Sequence, residues 1–238
     1  MTSSQISSSI IATDDAVLRS DVRRLGDLLG QSLVRQEGPE LLELVEKVRK
    51  AVREGGEDSL LEDITDDQAV DLVRAFSTYF HLANVAEQVN RSKDIAAEHK
   101  SEGSWLGKAI ENIAKAQQDG KDFSTKDLQN WLDNFSVRPV FTAHPTEAAR
   151  RSVLSKMTTI AQLLEQPESQ IKNDRLAEAI DLLWQTDELR LGRPDPLDEA
   201  VNSIYYLDEL LLETVPEVLA EFVNEIKKLG ITLSLTAR

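Results

Sequence analysis

The 238-residue sequence contains no cysteine. That absence excludes a disulfide framework, a thiolate zinc site and a cysteine nucleophile. Proline and glycine are scarce, at 7 and 10 residues, too few for a loop-rich or collagen-like chain. No run approaches the ~18 consecutive apolar residues of a membrane-spanning helix. The stretch Met1 to Asp15 has no basic region ahead of an apolar run, so it is neither a secretory signal nor an arginine-rich transit peptide. A cytoplasmic location is the expectation, with no membrane partner. Basic residues are also in deficit: 27 Lys and Arg face 42 Asp and Glu, a net charge of −15. So acidic a chain argues against nucleic acid as a partner, because phosphate backbones need a basic surface.

What is present favours helices. Leu, Ala, Glu and Asp are abundant, and the hydrophobic fraction of 41% is that of a globular protein. A compact chain of this length buries roughly 70–75% of its unfolded surface, so a sizeable core is available. Residues 1–13 hold five serines and no charged side chain and read as a flexible tail. From Asp14, Leu18, Val22, Leu25, Leu28, Leu29 and Leu33 recur at helical spacing. Pro39 suits the first turn of a second helix, with an apolar face of Leu41, Leu44, Val45, Val48 and Val52, which Gly55 and Gly56 stop. A third helix is expected over 66–91, through Val70, Val73, Phe76, Phe80, Leu82 and Val85, with a polar break at 92–104. Further helices are expected at 105–116 and 125–134.

The texture then changes. Val137 to Thr142 is β-branched and aromatic around Pro139 and reads as a strand. A turn at Ala143-His144-Pro145 follows, then helices at 145–165, 173–191, 197–215 and 216–229. Ile231 to Thr236 reads as a second strand. Two isolated strands are marginal in water. The expectation is therefore a mainly α chain in three parts: the tail 1–13, a helical region 14–136, and an incomplete region 137–238 belonging to a longer protein.

Residues 137–156 carry a net +3, so the remainder carries −18. A basic island beside a histidine points to a defined anion site. Strand, turn and helix in succession would put His144 at the carboxyl end of a strand and at a helix N-terminus. That edge holds ligands in parallel α/β architectures, and a helix N-terminus favours phosphate or carboxylate. Arg150 and Arg151 would lie one to two turns into the helix, where a planar fork can reach the same anion. His144 can exchange a proton near neutral pH. The alternative on these features alone is a capping histidine and a solvated arginine face. Asp187 and Glu188 are adjacent, so on a helix they point about 100° apart, and pairing with Arg190 or Arg193 is favoured over metal binding. His81 is expected to be a core or interface residue.

The twelve residues Val140-Phe141-Thr142-Ala143-His144-Pro145-Thr146-Glu147-Ala148-Ala149-Arg150-Arg151 closely resemble the histidine signature of phosphoenolpyruvate carboxylases. Phe76 to Gln88 and Leu183 to Arg190, leading on to Pro196-Leu197-Asp198-Glu199, are similar to the same family. The resemblance implies an enzyme that carboxylates phosphoenolpyruvate with bicarbonate to oxaloacetate and phosphate, using Mg²⁺ or Mn²⁺. It maps the family's catalytic histidine onto His144 and its basic pair onto Arg150 and Arg151. Pro145, Thr146 and Glu147 would shape the site. It implies a large, mostly helical protein around an eight-stranded barrel, assembled as a homotetramer. This chain would contribute at most the first two strands, with the rest of its own chain as partner and the metal ligands elsewhere. The 238 residues alone would then be inactive. The competing reading is a non-catalytic helical scaffold or interaction protein that retains the signature.

Overall fold

A computed structural model of the chain describes residues 3–55, 64–118, 125–134, 136, 150–187, 195–228 and 230–232. The expected mainly α class is what it shows, with no β-strand among the described residues. The helices are α1 (Ser3–Gln36), α2 (Pro39–Glu54), α3 (Asp66–Glu102), α4 (Trp105–Gln118), α5 (Thr125–Asn134), α6 (Arg151–Glu165), α7 (Gln170–Trp184), α8 (Pro196–Tyr206) and α9 (Leu212–Lys227). A π-helical segment, Leu207–Leu211, joins the last two. The expected strand at 137–142 and the turn at 143–145 lie outside the described residues, as do positions 233–236 of the second expected strand.

The helix ends follow from local chemistry. Pro39 sits in the first turn of α2, where its missing N–H costs nothing. Gly55 ends that helix at φ 70°, a left-handed conformation that favours glycine, and its N–H returns to the carbonyls of Ala51 and Val52. Ser169 caps α7 by accepting the Lys172 N–H. Asp195 and Asp198 cap α8 reciprocally. α1 reaches back to Ser3, into the stretch expected as a tail. Extending an existing helix adds one hydrogen bond per residue fixed, so weak helix formers can follow a strong one.

Three expectations need correction. The break at 92–104 is absent, because α3 continues to Glu102. Ala96, Ala97, Glu98 and Lys100 are good helix formers, and polarity alone does not stop a helix. The stop comes at Gly103, at φ 80°. The expected core face of α3 is correct in part: Leu82 and Val85 are buried as expected, whereas Val70, Val73 and Phe80 are exposed and Leu72, Ala75, Ala86 and Val89 are buried instead. Two of those four are small alanines, which a reading by bulk passes over. Finally, Pro216 does not start a helix but lies inside α9. A proline cannot donate to the carbonyl four residues back, and the π turn immediately before Leu212 opens the ladder there.

The chain divides into two compact units. The first joins Met1–Asp94 to Ala149–Arg190. In it, α1 packs on α2 and α7, and α6 packs on α7. Leu25, Leu29 and Leu33 of α1 meet Ile160 and Leu164 of α6 and Leu176, Ile180 and Trp184 of α7 in one apolar core. The second unit joins Ile95–Ala148 to Leu191–Arg238. Its smaller core is Ile110, Ile226 and Ile231, with Ile113, Leu128, Leu132 and Phe222 packed around them.

Candidate functional site

Of the expected site residues, Arg150 and Arg151 are described, while His144, Pro145, Thr146 and Glu147 lie outside the described residues. The two arginines stand at the entry to α6. Arg150 is its N-cap, in extended backbone at φ −71° and ψ 143°, and Arg151 is the first helical residue. This corrects the expectation of one helix from Pro145, with the arginines one to two turns inside. Ala148-Ala149-Arg150-Arg151 offers no capping side chain, and Arg150 makes no side-chain cap bond. Nothing local therefore marks the start of α6. The Arg150 carbonyl accepts from the N–H groups of Val153 and Leu154.

A tertiary contact does mark it. The Arg150 guanidinium lies 3.6 Å from the Asp187 carboxylate, just beyond the end of α7. Sequence reasoning gave Asp187 a different partner, Arg190 or Arg193, both of which lie outside the described residues. Asp187 stands out in the sequence as one of two adjacent acids, but nothing there shows a contact spanning 37 positions.

The end of α7 is a firm support. Trp184 is 2% exposed, and its indole N–H donates to Glu37 at 2.9 Å. Arg74 donates to the Trp184 carbonyl at 2.6 Å and stacks over the ring, 4.5 Å from its centre. Gln185 donates to Gln36 at 2.8 Å, and the Thr186 hydroxyl donates to the Leu182 carbonyl at 2.7 Å. On the same helix, burial pushes the Asp181 carboxyl up, but hydrogen bonds from Arg35 and Ser32 outweigh it and leave the group below its ordinary value.

The α6–α7 connection is held as firmly. Lys172 is 3% exposed, and its ammonium donates to the carbonyls of Leu164 and Gln166 and to Glu168. Lys93 from α3 reaches the same Leu164 carbonyl, and Arg24 from α1 pairs with Glu168 and bonds Asn173.

A groove of about 1140 Å³ runs between α1, α2 and Tyr79, edged by Arg19, Arg23, Arg35 and Arg49. Neither Arg150 nor Asp187 lines it. Among the described residues no group of three His, Asp or Glu side chains is placed to hold a metal ion. No helix among the described residues is long and apolar enough to cross a membrane.

The comparisons with known proteins agree with the signature. The family profile described as phosphoenolpyruvate carboxylase matches residues 18–236. The chain belongs to the phosphoenolpyruvate carboxylase family. A protein of that name from Alcanivorax borkumensis is 33% identical over 236 residues, covering 91% of this chain and 26% of the relative. One from Azorhizobium caulinodans is 36% identical over 225 residues, covering 86% and 24%. One from Acinetobacter baylyi is 35% identical over 226 residues, covering 87% and 25%. The chain thus spans about a quarter of the length of the curated family members it matches. Both segments that meet at the Arg150–Asp187 pair fall within the matched range.

Proposed function

We propose that this chain is part of a cytoplasmic phosphoenolpyruvate carboxylase, a lyase that makes oxaloacetate and inorganic phosphate from phosphoenolpyruvate and bicarbonate. The observation that carries this reading is the twelve-residue run from Val140 to Arg151 inside a chain that the family profile matches over residues 18–236. In the reaction a bicarbonate oxygen attacks phosphorus, the enolate of pyruvate leaves, and carboxyphosphate forms. His144 accepts the carboxyl proton as carboxyphosphate separates into CO₂ and phosphate. The enolate carbon then bonds to CO₂. A positioned histidine contributes typically 10²–10⁴-fold to such a proton transfer. Arg150 and Arg151 hold phosphate or carboxylate oxygens, and Pro145, Thr146 and Glu147 shape the turn that carries His144.

Mg²⁺ or Mn²⁺ supplies charge neutralisation to the reacting oxygens when bound, with ligands from outside this chain. Residues 137–238 begin the catalytic barrel, and the full-length protein assembles as a homotetramer. The 238 residues alone do not turn over, since they correspond to about a quarter of each relative.

The test is His144→Ala in the full-length protein, with oxaloacetate followed by reduction to malate. Loss of at least about 10²-fold in kcat is expected. Wild-type carboxylation by that variant would remove His144 from the mechanism.

A further inference from the structure

We propose that the groove between α1 and α2 seats an acidic amphipathic helix from the part of the full-length protein outside these 238 residues. This rests on the reading of the chain as part of a longer protein, not on the chemistry assigned to His144, Arg150 and Arg151. α1 has two apolar faces. Leu25, Leu29 and Leu33 enter the core. Leu18, Val22, Gly26, Gly30 and Val34 recur every four residues and form a second ridge, which lines the groove. The ridge dips at its middle, where Gly26 and Gly30 carry no side chain. Leu42 and Tyr79 complete an apolar floor. Val34 is 39% exposed, so this floor is open at that end.

The dimensions select a polypeptide over a small ligand. Arg19 and Arg35 stand 16 residues apart on α1, about 24 Å at the rise of an α-helix. The volume of about 1140 Å³ exceeds the roughly 300–1,000 Å³ of small-molecule pockets. A helix of about 16 residues spans the same length. A groove between two helices takes a third by ridge-into-groove packing, and no strand edge among the described residues offers itself to an extended peptide. Charge gives the occupant its sign. The lining sets Arg19, Arg23, Arg35 and Arg49 against Asp27 and Glu46, a net of +2 in a chain of −15. Arg35 pairs with Asp181 and Arg49 with Glu46, so the excess lies toward Arg19 and Arg23. A second copy presenting the same groove would set like charges together, which is unfavourable. The chain spans about a quarter of the curated relatives, so three quarters of such a protein is available to supply the cover.

The experiment uses the full-length protein. Val34→Cys is labelled with a maleimide, and the rate at that peptide is read by mass spectrometry under native conditions and in urea. A seated helix makes native labelling at least about tenfold slower than labelling in urea. Adding Arg23→Glu sets acid against acid and raises the native rate about two- to fivefold, the range for an exposed ion pair. Arg23→Lys leaves the rate unchanged. Gln31→p-benzoylphenylalanine, photolysed in protein assembled from mixed ¹⁴N and ¹⁵N chains, identifies the occupant. The expected cross-link stays within one isotopic species and reaches a peptide outside residues 1–238. That peptide has more Asp and Glu than Lys and Arg, with apolar residues three and four apart.

Native labelling at the rate seen in urea would overturn the proposal, as would a native rate that Arg23→Glu leaves unchanged. So would the absence of a cross-link, or one made inside residues 1–238, between the two isotopic species, to a different protein, or to a peptide without that charge and spacing. The carboxylase reading is judged separately, by oxaloacetate formation. Its failure leaves the cross-link in place, and failure of this proposal leaves carboxylation in place.

Discussion

Replacing Lys172 by methionine tests whether a buried ammonium holds α6 to α7. Two large effects oppose each other. Taking an ammonium out of water costs several kcal/mol. In return its Nζ makes three bonds, at 3.3 Å to Leu164, 2.8 Å to Gln166 and 2.6 Å to Glu168. Hydrogen bonds that involve a charged group return about 1.5–3 kcal/mol each, which exceeds the cost here. Methionine keeps most of the buried stem but has no donor. The Leu164 carbonyl keeps Lys93 at 3.4 Å, so the Gln166 carbonyl is the acceptor that loses most. One acceptor left without a partner costs about 1–3 kcal/mol. We expect Lys172→Met to destabilise the first unit by about 2 kcal/mol, roughly a thirtyfold change in its unfolding equilibrium. Urea unfolding followed by tryptophan fluorescence reads this, since Trp184 is buried in the same core. With a slope of about 2 kcal/mol/M the midpoint should fall by about 1 M. A variant as stable as the wild type, or more stable, would refute the reasoning. It would mean that desolvation outweighs the bonds, as it does in some buried ion pairs.

Two further outcomes follow from the same unit. Hydrogen bonds from Lys172 hold the Glu168 carboxyl below its usual range despite opposing desolvation, and Asp181 is likewise lowered. A lowered carboxylate stabilises the fold above its unfolded pKa and loses that contribution as pH falls through the folded value. Stability should therefore be level above about pH 5 and decline below about pH 4, by no more than about 1 kcal/mol from the exposed Glu168. The decline should be shallower in Lys172→Met, and pH-dependent urea midpoints would show it. The second outcome concerns glycines inside α1. A Cβ at Gly30 would meet Leu42 at 3.4 Å, an ordinary contact, whereas one at Gly26 would meet the Tyr79 ring at 3.3 Å. Gly30→Ala should stabilise by about 0.5–1 kcal/mol through helix propensity. Gly26→Ala should gain less, and calorimetric melting of both would expose a reversed order.

Much of the fold was legible because periodicity reports burial directly. The leucines picked out in α1 are those that enter the core, with Leu18, Val22 and Leu28 packed at its edge. The method failed where inward positions are small. Ala75 and Ala86 of α3 are buried and Phe80 is not, which no scale of bulk would give. Polarity at Ser92 is likewise no helix stop: α3 runs on to Glu102 and ends at Gly103. At the site, the residue types in Val140 to Arg151 identified the family, which the profile match shows. The start of α6 was not legible, because the feature that marks it is an ion pair to a distant segment rather than a cap. A local reading does not reach a contact 37 positions away.

The first unit is closed by pieces from opposite sides of an intervening stretch, Met1–Asp94 and Ala149–Arg190. On the ribosome this imposes a wait. Leu25, Leu29 and Leu33 are made early, but Leu176, Ile180 and Trp184, which cover them, follow about 150 codons later, some 8–30 s at 5–20 residues per second. α3 brings part of the cover early, with Leu82, Val85 and Val89, but the faces that α6 and α7 close stay open for most of that interval. The nascent chain is then a natural client for chaperones, and the addition of α7 is the step that ends its exposure.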